Sequence, residues 1–359
     1  MSDTKSRRQS RKLDHLKYAA ELIDGPVANG FKDFRFVHNC LPDIDYGSID
    51  LSTTVAGIKL AHPVIINAIT GGAADVTGVN IKLAELARQT NSAMAVGSQF
   101  AAVETPAIEN SYKIINKINP HGVIFANLGA HASVDNARYA VEMIGAQALQ
   151  IHLNVAQEVF MTEGDRNLAN YLDNIATIAS KVRVPVIGKE VGFGIAREQA
   201  GQLVGTGIKA IDVGGAGGTN FIAIETARSQ EKCWPEFFTW GIPTAISAVE
   251  VYSVLPKELD MIVSGGIRTP GEALKAFSLG GKAVGIAGPL VKLILKDGVP
   301  AAVDWLMNFL AGLKRFMLLL GTASIIKTRQ VPLIITGYSR EWLTARGFDP
   351  GQYANNRQG

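Results

Sequence analysis

The sequence predicts a closed α/β barrel, a TIM (β/α)8 barrel, on three observations. From residue 60 onward, short apolar runs alternate with segments of helical periodicity. Eight such runs follow one another without an unrelated interruption, and eight right-handed βα units in series favour closure over an open doubly wound sheet. Each run also ends in a polar or glycine-bearing tip, as expected if the C-terminal strand ends converge on one concave site.

The elements follow in order. Residues 1–12 carry Lys5, Arg7, Arg8, Arg11 and Lys12 against one acid, Asp3, and contain little that could anchor them to a core. This reads as a mobile basic tail leading to a helix at 15–23. It is either a solubilising tail or, given an anionic ligand, a lid in which Arg11, Lys12 and His15 exclude water. The predicted strands are 63–68, 93–96, 122–127, 148–153, 185–189, 210–213, 261–263 and 283–286. The connection 220–250 is too long for a simple loop and reads as an insertion after strand six. In it, Glu225 and Arg228 stand at helical spacing and 240–245 resembles a helix start. Segment 289–320 supplies closing helices, and the polar end from Asn355 should fray. A single domain follows, with an N-terminal arm and lead-in (1–59), the barrel (60–320) and a C-terminal extension (321–359).

Composition narrows the function classes. A formal net charge of +3 lacks the dense positive clustering that nucleic acid or a membrane surface requires. Lys314 and Arg315 interrupt the most apolar late run, so it reads as a buried or amphipathic helix, not a membrane span. Cys40 and Cys233 lie far apart without CxxC spacing, and the N-terminus has no apolar signal core. Both features point to a reducing cytoplasm.

The stretch 148–158 carries the sharpest chemistry. Strand alternation sends Leu149, Ile151 and Leu153 one way and Gln150, His152 and Asn154 the other, with Gln157 and Glu158 following. An apolar strand thus ends in an imidazole, amides and a carboxylate on one lip. Glycine runs at 214–218 and 265–266, with Thr219 and Ala287-Gly288, expose backbone N–H groups after strands six to eight, where barrels commonly bind phosphate. Lys189 is the one cation on a strand otherwise written for burial, read as a charge near an electron-rich cofactor ring.

With these tips in view, the chain resembles the type 2 isopentenyl-diphosphate isomerases, FMN-dependent TIM barrels. The resemblance covers roughly residues 11–347 and rests on Arg11-Lys-Leu-Asp-His15, Ile69-Thr-Gly-Gly72, Gly97-Ser-Gln99, His152-Leu-Asn-Val-Ala-Gln-Glu158, Lys189-Glu-Val-Gly-Phe-Gly194, Gly217-Gly-Thr219 and Ser264-Gly-Gly-Ile-Arg268. It implies that Ile69, Thr70, Gly71, Ser98, Asn127, Lys189, Thr219, Gly265, Gly266, Ile267, Ala287 and Gly288 hold FMN. Arg11, Lys12, His15, Ser98, Gln99, Asn154 and Gln157 would contact an isoprenoid diphosphate, and Glu158 would meet Mg²⁺ on that diphosphate. Gln157, His152 and Glu225 are the candidate catalytic side chains, and reduced FMN itself would supply and retrieve protons. NADPH would serve only to keep FMN reduced, which fits the lack of a GxGxxG fingerprint. A tetramer or larger homo-oligomer, such as an octamer, is also implied.

Three positions depart from the family's usual pattern: Ile69 stands for Met, Phe100 for Arg and Gly214 for Ser. Loss of a cation at Phe100 shifts the diphosphate clamp toward Arg11 and Lys12. The alternatives are an FMN barrel 2-hydroxy-acid oxidase, which would call for a histidine base and arginines at the mouth, and a flavin-binding regulatory protein without turnover.

Overall fold

The structure, a computed structural model, describes Tyr18, residues 25–69 and residues 77–355. The lead-in holds three short strands, β1 (Phe34–Phe36), β2 (Thr53–Val55) and β3 (Ile58–Leu60). Eight parallel strands follow: β4 (Val64–Ile66), β5 (Ala93–Ala95), β6 (Ile124–Gly129), β7 (Ala148–Leu153), β8 (Val186–Glu190), β9 (Ala210–Asp212), β10 (Asp260–Ser264) and β11 (Ala283–Ile286). They pair in chain order, and β11 returns to β4, so the ring closes. All eight predicted strands are therefore present in a TIM barrel, with ends displaced by a few residues; the third starts at Ile124 and runs on to Gly129.

Period-two alternation explains the interior. Ile65, Ala93, Ala95, Phe125, Ala148, Ile187, Ala210, Ile262 and Ala283 point inward and form the apolar lower core. Val55 and Leu60 of the β2–β3 hairpin join that cluster and close the N-terminal end of the barrel. Their neighbours Ile66, Leu149, Ile151, Ile211, Val263 and Val284 face outward into the layer shared with the helices. Two residues beyond the inward apolar set, the same strands present Asn67, Asn127, Gln150, Lys189, Asp212 and Ser264.

The helices used below are α1 (Val155–Phe160), α2 (Phe221–Ser229), α3 (Pro235–Phe238), α4 (Thr244–Tyr252), α5 (Gly288–Lys296), α6 (Gly298–Leu320) and α7 (Gly337–Ala345). The long connection after β9 resolves into α2 and α3, followed by α4 buried on nearly every side. The predicted helix start there is realised with Pro243 as the N-terminal cap and Thr244 as the first helical residue. After α6, β12 (Leu333–Ile335) pairs antiparallel with β1, fastening the lead-in to the C-terminal extension. Among the described residues no helix is long and apolar enough to cross a membrane.

Candidate active site

Residues following all eight barrel strands line one cavity of about 560 Å³ at the C-terminal mouth. Its floor is the polar tier. Lys189 and Asp212 form an ion pair at 2.9 Å with both side chains buried, and Ser264 Oγ donates to the other Asp212 oxygen. Asn67 Nδ2 also donates to Asp212, at 2.8 Å. From there, hydrogen bonds run through Gln150 and Asn127 to the ring of His152. A buried charge pair costs several kcal/mol of desolvation per ion unless its remaining valences are satisfied, and here Asp212 receives three donors.

One residue beyond Lys189, Glu190 is buried and accepts the backbone N–H groups of Gly192 at 2.7 Å, Phe193 at 2.6 Å and Gly194 at 3.0 Å. Burial pushes its carboxyl up to about 7, against the pull of those N–H groups and of Lys189. The turn it ties down forms the cavity wall at Val191 and Gly192.

The lip is built from α1 and α2. Asn154 Nδ2 donates to Gln157 Oε1 at 3.2 Å and to Glu158 Oε1 at 2.9 Å, while Gln157 Nε2 donates to Glu225 Oε1 at 3.0 Å. Arg228 Nε donates to the second Glu225 oxygen at 3.1 Å, and its guanidinium also grips Glu163 on the loop after α1. That loop is tied back again by Asp165 N donating to Glu158 Oε2 at 2.7 Å and by Arg166 donating to Met161 O at 3.0 Å.

The opposite corner is made of backbone. Gly265 (φ +113°) and Gly266 (φ +73°) pack so closely on the loop after β9 that an added Cβ would lie 2.1 Å from Gly215 O and from Gly217 O, respectively. Arg268 donates to the carbonyls of Gly217 at 2.7 Å and Gly266 at 2.8 Å, and Asn29 Nδ2 donates to the latter. Beside them α5 begins at Gly288, where a Cβ would meet only Thr219 Oγ1, at 3.9 Å. A helix start whose first-turn Gly288 and Leu290 N–H groups have no intrahelical acceptor, with room at its first residue and an adjacent hydroxyl, suits a phosphate. The donor set therefore fits the phosphate of FMN.

Metal ligation is sparser. Among the described residues no group of three His, Cys, Asp or Glu side chains could hold a metal ion. A Mg²⁺ ion held mainly by phosphate oxygens and waters would need only one or two protein carboxylates, such as the cavity-lining Glu158.

Of the residues predicted from sequence, Ile69, Ser98, Asn127, His152, Asn154, Gln157, Glu158, Lys189, Thr219, Gly265, Gly266, Ile267, Ala287 and Gly288 all line the cavity. Glu225 sits behind Gln157, fully buried. Gln99 is placed elsewhere: its side chain turns behind β6, donating to Ala140 O at 2.9 Å and accepting from Asn127 N at 3.1 Å. Arg11, Lys12, His15, Thr70 and Gly71 lie outside the described residues, as does the predicted helix at 15–23 apart from Tyr18, which is helical. Phe100 stacks edge-on against His131 with centroids 4.6 Å apart, and both line the cavity. Gly214 has φ +47° and packs on Glu190 O, where no Cβ fits. Sequence reading passed over Asn67, Glu190, Asp212 and the bracing by Asn29 and Arg268. The first and third were available from the strand alternation that revealed Gln150.

The closed barrel with a phosphate corner on its late loops defines a cofactor-binding (β/α)8 class, and the family of FMN-dependent dehydrogenases matches residues 124–333, more than half the chain. An isopentenyl-diphosphate delta-isomerase of Symbiobacterium thermophilum is 43% identical over 360 residues, covering 98% of this chain and 99% of that one. A Geobacillus isopentenyl-diphosphate delta-isomerase is 46% identical over 348 residues, covering 97% and 99%. The chain belongs to the isopentenyl-diphosphate delta-isomerase family. In fold it is similar to the lactate oxidase of Pediococcus acidilactici (TM-score 0.67, 16% identity, 94% of each chain) and to a mandelate oxidase (TM-score 0.63, 15% identity, 94% and 98%). At those identities the likeness is one of architecture.

Proposed function

We propose that this protein interconverts isopentenyl diphosphate and dimethylallyl diphosphate, with reduced FMN in the barrel mouth and Mg²⁺ on the diphosphate. The observation that carries the reading is the meeting, in one cavity, of a glycine-built phosphate corner, a buried lysine on the floor, and a lip of amides ending in Glu158. Bound, reduced FMN supplies the acid and base chemistry of the double-bond shift. The chain's own residues position the reactants. Lys189, fixed by Asp212, holds a positive charge against the electron-rich ring. Gln157, its amide oriented by Glu225 and Asn154, faces the alkenyl group, and Glu158 with Asn154 directs a magnesium-bound diphosphate. Arg11, Lys12 and His15 complete the reading as the cationic arm that neutralises the diphosphate, and NADPH serves as reductant for FMN. The assembly expected is a cytoplasmic homo-oligomer.

Anaerobic incubation with FMN, NADPH, Mg²⁺ and isopentenyl diphosphate should yield dimethylallyl diphosphate, and chelating Mg²⁺ should abolish it. Absence of product with flavin bound and reduced overturns the isomerase reading. Gln157→Ala should keep flavin and lose isomerisation.

A further inference from the structure

We infer that Asp212 and Asn67 set the tautomer of His152 through a directional wire of buried amides, holding the neutral ring with its proton on Nδ1. The wire has four links: Asn67 Nδ2 to Asp212 Oδ2 at 2.8 Å, Gln150 Nε2 to Asn67 Oδ1 at 3.1 Å, Asn127 Nδ2 to Gln150 Oε1 at 3.0 Å, and Asn127 Oδ1 to His152 Nδ1 at 2.8 Å. All three amides and Asp212 are almost completely buried.

An amide can be turned end for end, so the direction needs a cause outside the amides. Two causes meet at Asn67. Asp212 Oδ2 already receives the Lys189 ammonium at 2.9 Å and so presents only lone pairs to Asn67, which must turn its NH₂ toward the carboxylate. Independently, Ala68 N–H donates to Asn67 Oδ1 at 3.0 Å, and a backbone N–H can do nothing but donate. With the Asn67 oxygen fixed, Gln150 must offer its NH₂ to it and its oxygen to the next residue. Asn127 then spends its NH₂ on Gln150 and leaves only Oδ1 for His152, so the imidazole must donate from Nδ1. Its cavity-lining ring then carries the lone pair at Nε2, and neutral His152 accepts a hydrogen bond or a proton there. Asp212 and Asn67 act through the amides and are positioning residues. The inference goes beyond the isomerase reading and holds whatever reaction the cavity performs.

Nitrogen NMR of histidine-labelled protein tests it, on the full-length chain as purified and above the pH at which imidazole titrates. The His152 signals are assigned by their loss in His152→Asn. An internal reference is present: His62 Nδ1 accepts from Val64 N at 3.3 Å while Nε2 faces Thr90 O at 3.0 Å, so His62 should show the opposite tautomer. His152 is expected to be protonated at Nδ1. Gln150→Met cuts the wire and frees Asn127 to turn, so the His152 shifts should move toward the Nε2-protonated pattern while His62 stays unchanged. Gln150→Glu, buried against the Asn67 oxygen and therefore held as the neutral acid, donates its O–H to Asn67 Oδ1, accepts from Asn127 through its carbonyl and should restore the wild-type pattern. A wild-type His152 protonated at Nε2 overturns the inference and requires no variant to fold. So does an unchanged Nδ1 proton in a Gln150→Met protein whose His62 signal is native. Loss of the Nδ1 pattern in a folded Gln150→Glu protein also counts against it.

Discussion

The floor and the lip of the cavity are built on opposite principles. Floor residues sit on β4 to β10, whose register is fixed by neighbours on both sides, and their polar valences close on one another: Lys189, Ser264 and Asn67 all converge on Asp212. Lip residues sit on short helices and a loop, and distant side chains hold them in place: Glu225 reaches Gln157 across 68 residues and Arg228 reaches Glu163 across 65. The floor is thus a pre-formed electrostatic base, whereas the lip is an assembly of crosslinks that loosening one member can open. Removing a group should therefore cost the floor stability and cost the lip order.

The largest effect is expected at the centre of the floor. Asp212→Ala leaves the Lys189 ammonium buried with only a carbonyl and a hydroxyl, and breaking a buried pair in this way typically costs ~3–5 kcal/mol. Asp212→Asn should cost much less, because one oxygen can still accept from Lys189 and Asn67 while the new NH₂ donates to Ser264 Oγ. Denaturant midpoints check the ordering. Equal losses for the two variants would mean that charge, not acceptor geometry, governs the floor. Flavin affinity should follow the same order.

The contrast also explains what the sequence made legible. Barrel closure, all eight strands and the two faces of 148–153 could be read because the period-two signal survives in a strand buried on both faces when a polar residue marks one of them, as Gln150 does there. The same parity applied to 210–213 and 63–68 leads to Asp212 and Asn67. They carried no cue of their own because a single polar residue at a strand end looks like an ordinary tip. Gln99 illustrates the opposite difficulty. It caps the helix Phe100–Glu104 in a region with no repeating period, and only the position of Ala140 determines that its amide turns away from the cavity, behind β6. The hairpin that closes the barrel base and the β1–β12 pairing were equally invisible, since each joins segments through tertiary contact alone.

A second, smaller effect concerns Glu190, which belongs to the floor by burial and to the wall by the turn it holds. Its folded-state pKa is raised from 4.5 to about 7 by burial. Between those values the folded protein holds a proton that the unfolded chain has released, so stability falls as pH rises from about 4.5 to about 7 and levels off above. At roughly 1.4 kcal/mol per unit, the loss is on the order of 3 kcal/mol. Glu190→Gln removes the ionisation and should flatten this part of the stability curve. The comparison is between urea midpoints at pH 5 and pH 8, and a variant as pH-sensitive as wild type there would assign the slope to other groups.

The smallest effect on stability is expected at the lip, where it should instead appear as local mobility. Arg228 joins buried Glu225 to half-buried Glu163 through one planar fork, a geometry that a lysine cannot reproduce. Arg228→Lys keeps the charge beside buried Glu225, so no buried carboxylate is left unpaired and the global midpoint should move far less than in Asp212→Ala, by about 1 kcal/mol. The loop after α1 nevertheless loses its main external tie, leaving the local bonds of Asp165 and Arg166. Amide exchange at residues 161–166 should accelerate well beyond what the global stability change accounts for, while exchange in β7 and β8 stays at the wild-type rate. Because Glu158 is tied to that loop through Asp165 N, the same variant should weaken divalent-cation dependence of activity before it affects flavin affinity. Uniform acceleration across loop and strands would show that lip and floor open as one unit, and the distinction between them would fail.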